Sequence, residues 1–255
     1  MRRDVPRSLR ISQVGLRGVV GAGLTAAHVL DFATAFGTFL ESAGPVIIGR
    51  DPRASGVMIR QGVIAGLLAC GHDVIDLGVV STPIVQHAIR RLDASGGISI
   101  GASHNSAEWN ALKFFGPQGT YLSTAEAGEL LDIYHLKRFH LLDWDRIGKL
   151  KTDSSALDLY LDELAGAFDF TALKRFKVLV DCCNGTSSLI LRRMNERFGF
   201  SFILLNEKIE GVSLAHEPST TQRMVALQLA PLMRPLNADA GFLFLSLIHI
   251  SEPTR

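Results

Sequence analysis

The sequence predicts an α/β fold in which mixed, mostly parallel sheets are sandwiched by helices. Short apolar runs typical of buried strands alternate along the chain with segments of helical periodicity. Hydrophobic residues make up 47% of the 255 residues, which is enough to form a core. The alternation stops in the charged stretch 137–153 and then restarts. We therefore expect a first domain over residues 1–150 and a partial second domain over residues 151–244.

The first predicted domain opens with a helix after Thr25, because Val29, Ala33, Phe36 and Leu40 recur at helical spacing. Further turn signals and apolar runs define the other elements. In order, they are a strand over Pro45–Gly49, a helix over 55–70 capped by Ser55, a strand over Asp73–Leu77, a helix around Val85–Leu92, strands over Gly97–Ala102 and Ala111–Phe115, and a helix from 124 to 136 with a capping box at Ser123 and Glu126.

The second predicted domain repeats the same alternation. Apolar residues from Leu157 to Phe168 share one face of a helix. A strand over Lys177–Asp181 ends in Asn184-Gly185-Thr186 and leads into another helix. Strands follow over Ser201–Leu205 and Ala240–Leu243.

Charge and cysteine content exclude several classes of function. The chain has 26 basic and 25 acidic residues, so its formal charge of +1 gives no reason to expect a nucleic-acid partner. No apolar run approaches the roughly 18 residues that a membrane span needs, so we expect no membrane association. Three cysteines without zinc spacing fit a reducing compartment, and we expect a cytoplasmic protein.

A glycine-rich segment, residues 18–25, fits the spacing of a P-loop except at Leu24, where that motif has a lysine that reaches phosphate. Gly21–Ala26 also fits a loose dinucleotide fingerprint, but it lacks a confident preceding strand and a following acidic residue. We expect a turn here, with backbone N–H groups and Arg17 available to an anion, and no nucleotide site.

A group of polar residues follows the strand Gly97–Ala102. Ser103 is bracketed on one side by small residues, and His104, Asn105 and Asn110 follow it in the loop. Lys113 returns towards the same rim on the next strand. Sheet rims of this kind hold ligands in α/β folds, although a Ser-His-Asn triplet is also common in ordinary turns.

The loop after the strand Pro45–Gly49 adds two arginines, Arg50 and Arg53, whose guanidinium groups suit phosphate oxygens. An alternative is a helix-start turn in which Arg50 pairs with Asp51. A serine, two arginines and a lysine without an activated His–Asp base favour phosphoryl transfer over acyl transfer. The G-x-S-x-G hydrolase motif is absent, since Asn105 follows where its second glycine would stand.

Several of these segments resemble signatures of the α-D-phosphohexomutases, a family that includes phosphoglucomutase, phosphomannomutase and phosphoglucosamine mutase. The serine loop GASHNSAEWNALKF resembles the phosphoserine loop of that family. Four other segments resemble its first-domain signatures and the opening of its second domain, in the order of the family, and a fifth resembles a Glu-Pro-x-Pro segment. They are GLRGVVG, GRDPRASG, DLGVVSTP, VDCCNGTSS and HEPSTT.

The resemblance implies that the protein interconverts hexose or hexosamine 1-phosphate and 6-phosphate through a sugar bisphosphate. Ser103 would carry the phosphoryl group, and its phosphate would help to hold Mg²⁺. Lys113 and Arg17 would assist proton transfer and stabilise charge, and His104 would lie close to the reacting hydroxyls. Asn105, Asn110, Arg50 and Arg53 would support the loop or the phosphate.

The sequence departs from the family at two places. Ser106 stands where a proline usually follows Ser-His-Asn, and Ser219–Thr221 lacks the second proline of its segment. At the end of the chain, Ala238–Phe244 resembles the strand before the acidic loop that holds Mg²⁺. Residues 245–255 contain one acid and resemble a translated sequencing adapter. We therefore expect a fragment whose last eleven residues are not natural, which lacks the metal loop and which is inactive alone.

Two other functions remain open at this stage. A non-catalytic protein could use the same rim to bind a sugar phosphate, and a serine hydrolase would make Ser103 a nucleophile towards acyl groups. The sequence does not choose among glucose, mannose and glucosamine, and it does not set the oligomeric state.

Overall fold

The computed structural model describes residues 9–12, 14–41, 44–209 and 227–244. The segments His216–Thr221 and 245–255, on which two of the expectations depend, lie outside the described residues. The chain divides into two compact units, one formed by residues 1–102 with 108–156 and the other by residues 103–107 with 157–255. The domain limits derived from the sequence stay predictions.

The first unit is built around a seven-stranded mixed sheet. Its strands are β1 (Arg10–Ser12), β2 (Gly15–Val19), β3 (Val46–Arg50), β4 (Val74–Val79), β5 (Gly96–Ile100), β6 (Trp109–Phe115) and β7 (Leu150–Thr152), in the spatial order β1-β2-β6-β5-β3-β4-β7. Strands β5, β3, β4 and β7 run parallel to one another, and β6 is antiparallel to both β5 and β2. The expectation of a mixed α/β fold with mostly parallel sheets is confirmed.

Four helices cover this sheet: α1 (Ala26–Phe39), α2 (Gly56–Ala69), α3 (Thr82–Arg91) and α4 (Thr124–Leu136). Apolar side chains of α1, α2 and α4 share one buried core with alternate residues of the strands, such as Ile98 and Leu112. Helix α3 lies against the other face, where a Cβ atom built on Gly97 would be 2.6 Å from Ile89. The first unit therefore has helices on both faces of its sheet.

The sequence did not predict β1, β2 and β7. Strands β1 and β7 have three residues each, all exposed, so neither shows the alternation that identifies a strand. Strand β2 contains two glycines and ends at Val19, two residues before the segment Gly21–Ala26 that fits a loose dinucleotide fingerprint. The statement that this segment lacks a preceding strand was therefore wrong.

The second unit contains a parallel three-stranded sheet. Strands β8 (Lys177–Asp181), β9 (Ser201–Leu205) and β10 (Ala240–Leu243) are arranged in the order β10-β8-β9. Helices α5 (Ala156–Ala167), α6 (Ser187–Phe198) and α7 (Ala230–Met233) accompany them, with a 3₁₀ turn at Thr171–Arg175. The three strands coincide with the predicted ones, because each is a short apolar run bounded by polar or turn residues.

Candidate active site

Two of the predicted basic residues lie on the same face of the seven-stranded sheet. Arg17 in β2 is opposite Ala111 in β6, and Lys113 is two residues further along β6. Side chains alternate along a strand, so Arg17 and Lys113 point to the same face as diagonal neighbours, about 7–8 Å apart at their backbones. Lys113 is also directly opposite Ser99, one residue before β5 ends. Both cations therefore lie near the carboxyl end of β5, where the serine loop begins.

Lys113 is in an environment that disfavours its charge. Burial lowers the pKa of its ammonium group below the ordinary value, and the negative charge of Asp51 opposes that shift. A lysine whose pKa is lowered towards neutrality can exchange protons at physiological pH more readily than an exposed one. The environment of Lys113 is thus suited to the proton transfer that the family resemblance implies.

The side chain of Arg53 contacts other groups of the protein. Its side chain is 6% exposed, and its Nε donates to the carboxylate of Asp51 at 3.0 Å. Its Nη1 donates to the carbonyl oxygen of Trp109 at 3.2 Å, which ties the loop after β3 to the start of β6. A buried arginine with these partners shapes the rim, and its predicted role in holding substrate phosphate stays a prediction.

Arg50 does not pair with the carboxylate of Asp51, contrary to the alternative considered from the sequence. Its Nη1 donates to the backbone carbonyl of Asp51 at 3.1 Å, and its side chain runs beside Gly56 at the start of α2. A Cβ atom on Gly56 would be 3.3 Å from Cδ of Arg50. Arg50 therefore lies at the amino end of α2, a position where anions are favoured by the helix dipole.

Asn110 is fully buried in β6, and its side chain links this strand to the residue before α2. Its amide nitrogen donates to the hydroxyl of Ser55 at 2.9 Å, and its side-chain oxygen accepts from the N–H of Ala111 at 2.8 Å. Ser55 precedes α2 but makes no side-chain capping bond to the helix. Ser55 stands at the N-cap position of α2, as predicted, but its hydroxyl accepts a hydrogen bond from the neighbouring strand in place of a capping bond. Asn110 thus supports the rim from inside the sheet.

The serine loop connects β5 to β6. Ser103 has a backbone φ of 52°, in the left-handed region that residues other than glycine rarely adopt. Ser103, His104 and Asn105 are partly buried, and they belong by their contacts to the second unit. Strained backbone of this kind is concentrated at functional sites, so the conformation of Ser103 is consistent with a reacting residue.

The glycine-rich turn before α1 uses its backbone N–H groups internally. The N–H of Gly21 donates to the carbonyl of Leu24, and those of Gly23 and Leu24 both donate to the carbonyl of Val19. Thr25 and His28 then form a capping box at the start of α1. The expectation that this turn offers its N–H groups to an anion was therefore wrong, because carbonyl oxygens already accept them.

The sequence did not single out Asp51 as a site residue. Its carboxylate accepts from the N–H of Arg53 at 3.1 Å and from the N–H of Ala102 at 3.3 Å, in addition to Nε of Arg53. Burial raises its pKa, while the charge and hydrogen bonds of Arg53 oppose the rise. The only sequence signal was its position between two arginines, which suggested a turn and not a link to a residue 51 positions away.

The described residues contain neither a cluster of metal ligands nor a membrane-spanning helix. No group of three or more His, Cys, Asp or Glu side chains is placed there to hold a metal ion. The described side chains therefore do not fit the magnesium site implied by the resemblance, and the predicted contribution of a Ser103 phosphate to it stays a prediction. None of the described helices has the length and apolar content to span a bilayer.

Known proteins show where this chain belongs. A family model described as phosphoglucomutase/phosphomannomutase, alpha/beta/alpha domain I, matches residues 10–140, about half of the 255 residues. A phosphoglucomutase/phosphomannomutase of Thermococcus kodakarensis is 32% identical over 89% of this chain and 51% of its own length. A phosphoglucosamine/phosphogalactosamine mutase of Sulfurisphaera tokodaii is 29% identical, again over 89% of this chain and 50% of its own.

Solved structures agree with the sequence relatives. The crystal structure of a phosphoglucomutase/phosphomannomutase family protein from Burkholderia thailandensis superposes with a TM-score of 0.78 at 25% identity, covering 91% of this chain and 52% of that one. The chain thus spans about half the length of the relatives it matches. With the matched first domain, the ordered signature segments and this common fold, the chain belongs to the phosphoglucomutase/phosphomannomutase family of phosphohexomutases.

Proposed function

We propose that this chain belongs to an intramolecular phosphotransferase that interconverts hexose or hexosamine 1-phosphate and 6-phosphate. The main structural support is the pair Arg17 and Lys113, which share one face of the sheet near the carboxyl end of β5. Ser103 follows that end of β5 with a strained backbone. Phosphoryl transfer requires cations that stabilise the negative oxygens of the transferring group. Arg17 and Lys113 lie near the strand end from which the chain continues to Ser103.

The proposed reaction moves the phosphoryl group twice. The bond between phosphorus and Oγ of Ser103 breaks as a sugar hydroxyl forms a new bond to phosphorus, which gives a sugar bisphosphate. The proton of that hydroxyl passes to a nearby base, and Ser103 Oγ takes up a proton. The second transfer returns the other phosphate of the sugar to Ser103 and restores the phosphoenzyme.

Lys113 and Arg17 have different parts in this proposal. The lowered pKa of Lys113 makes its amine a candidate for moving the hydroxyl proton. The guanidinium group of Arg17 stabilises the negative oxygens of the transferring group. His104 and Asn105 are proposed to orient the reacting hydroxyls, and Arg50, Arg53 and Asn110 to support the loop or the phosphate. The resemblance also implies a Mg²⁺ ion in the whole protein, which a phosphate on Ser103 would help to hold.

The compartment and the partner class belong to the proposal as well. The partners are a hexose or hexosamine phosphate and the corresponding bisphosphate. Cys70 and Cys182 are thiols and not disulfides, which fits the reducing conditions of a cytoplasm.

Phosphate incorporation tests the function directly. The full-length protein that contains this chain would be incubated with a hexose 1,6-bisphosphate and analysed by intact-mass measurement and phosphopeptide mapping. We expect one phosphate on Ser103 and none in a Ser103→Ala variant. Phosphate on another residue, or the same incorporation in the variant, would contradict the proposal.

The two remaining functions give different results in the same samples. A non-catalytic sugar-phosphate-binding protein would bind hexose 6-phosphate in calorimetry, yet it would show no adduct with the bisphosphate. A serine hydrolase would be labelled at Ser103 by a fluorophosphonate probe, whereas the proposed mutase would not.

A further inference from the structure

The carboxylate of Asp51 connects the ends of two parallel strands. Asp51 follows β3, and its own N–H donates to the carbonyl of Ile100, the last residue of β5, at 2.8 Å. Its side chain then accepts from the N–H of Ala102 at 3.3 Å. Asp51 thus holds the backbone before Ser103 at two points, the carbonyl of Ile100 and the N–H of Ala102.

Gly101 leaves the space in which this carboxylate lies. A Cβ atom at position 101 would be 2.6 Å from Oδ2 of Asp51, closer than any ordinary contact. Position 101 therefore requires a glycine, since any side chain there would displace the carboxylate.

The same carboxylate is the negative charge that Lys113 faces. Gly101 donates its N–H to the carbonyl of Ala111, which continues the pairing of β5 with β6 by one residue. Ala111 and Lys113 are two residues apart in β6 and point to the same face. The carboxylate that lies against Gly101 is therefore on the face that also presents Lys113. Two cations belong to the neighbouring elements: Arg17 in the adjacent strand β2, and Arg53, which pairs with Asp51, in the loop after β3. Among the described residues, the carboxylate of Asp51 favours the protonated form of Lys113.

We propose that Asp51 is a positioning residue of the phosphoryl-transfer site, which anchors the backbone that leads to Ser103 and supplies the negative charge opposite Lys113. This inference rests on the proposed function for its catalytic meaning. Asp51 itself neither takes nor gives the phosphoryl group. It sets the orientation of the carrier serine and the protonation of the neighbouring lysine.

The first test replaces the charge and keeps the shape. In Asp51→Asn the amide retains one acceptor oxygen but loses the negative charge. We expect the midpoint of the pH profile for acylation of Lys113, followed by peptide mass spectrometry, to move to lower pH, with about tenfold faster labelling near neutrality. A general loosening would instead raise the rate at every pH and leave the midpoint unchanged, and that result would overturn the proposal.

A matched control uses an aspartate in an equivalent backbone role elsewhere. Asp73 accepts the N–H of Lys149 at 2.7 Å, just before β4 begins. Asp73→Asn should leave the midpoint for Lys113 unchanged. An equal shift in both variants would contradict a specific role for Asp51.

A second variant moves the carboxylate without changing any titratable group. Gly101→Ala should displace Asp51 and shift the Lys113 midpoint in the same direction as Asp51→Asn. The double variant should shift it no further, because both changes remove one interaction. Additive shifts would show that Gly101 and Asp51 act separately.

A measurement on the unaltered chain covers the case in which these variants do not fold. The side-chain ε-carbon resonance of Lys113, followed by NMR through acid pH, should show an inflection as Asp51 takes up its proton. Absence of that inflection would overturn the proposal.

Phosphate incorporation separates this inference from the function on which it rests. If the unaltered full-length protein takes no phosphate on Ser103, the proposed function fails, whatever the Lys113 profile shows. If Ser103 is phosphorylated and Asp51→Asn gives the same rate and the same pH profile, the function stands and the role of Asp51 is wrong.

Discussion

Replacing Ser103 with glycine separates the chemistry of this residue from the strain of its backbone. At a φ of 52°, an L-residue carries a penalty of about 1–2 kcal/mol that glycine does not. Glycine loses about 0.5–1 kcal/mol more conformational entropy on folding than alanine. Ser103→Ala removes the hydroxyl but keeps the strain, so it is the matched reference. We expect Ser103→Gly to be more stable than Ser103→Ala by roughly 0.5–1 kcal/mol.

Thermal and urea unfolding of the two variants in the same buffer would measure this difference. For a domain of this size, such a difference corresponds to about 1–4 °C in Tm. Both variants should take no phosphate from a hexose bisphosphate. A glycine variant that melts at or below the alanine variant would refute the assignment of strain, and phosphate incorporation by either would refute Ser103 as the carrier.

Three further predictions concern the scaffold. Gly15→Ala should lower the free energy of unfolding by about 1–3 kcal/mol in urea titration, because its φ is 136° and its Cβ would be 1.9 Å from the carbonyl oxygen of Leu112. Gly21→Ala, with a φ of 86° and nothing within 4 Å, should lose less, and equal losses would show that contact with Leu112 is not the cause. Ser123→Ala should lower it by about 1 kcal/mol through loss of the α4 capping box, and an unchanged urea midpoint would contradict this. Burial raises the pKa of Cys182 from 9.0 to about 11, so the unfolded chain loses this proton first and stability should fall between those two pH values. Cys182→Ala should flatten that decline in urea titrations at several pH values, and an unchanged slope would rule out Cys182 as its source.

The fold was largely predictable because its main elements carry local signals. Helix α4 begins and ends where the capping box and periodicity placed it, and strands β8 and β9 coincide with their apolar runs. Strands β1 and β7 gave no such signal, since each is a short pairing at the edge of the sheet. Their formation depends on a neighbouring strand and not on their own residues.

The candidate site was predictable as a set of residue types and not as an arrangement. The rim was expected from strand ends followed by Ser103 and Arg50, and the spacing suggested that Lys113 returns towards it. That Arg17 joins Lys113 on one face required the pairing of β2 with β6, which brings together segments about 95 residues apart. The role of Asp51 depends on a contact across 51 positions, and periodicity contains no information on such contacts.

The packing of Asp51 on Gly101 also constrains how this site can change over generations. A side chain cannot be gained at position 101 while the carboxylate is present, and loss of the carboxylate removes an ion pair from Arg53, which is only 6% exposed. Each single substitution is therefore disfavoured before its partner has changed. The loops after β3 and β5 are expected to vary jointly or not at all, so a homologue that alters one should bear a compensating replacement in the other.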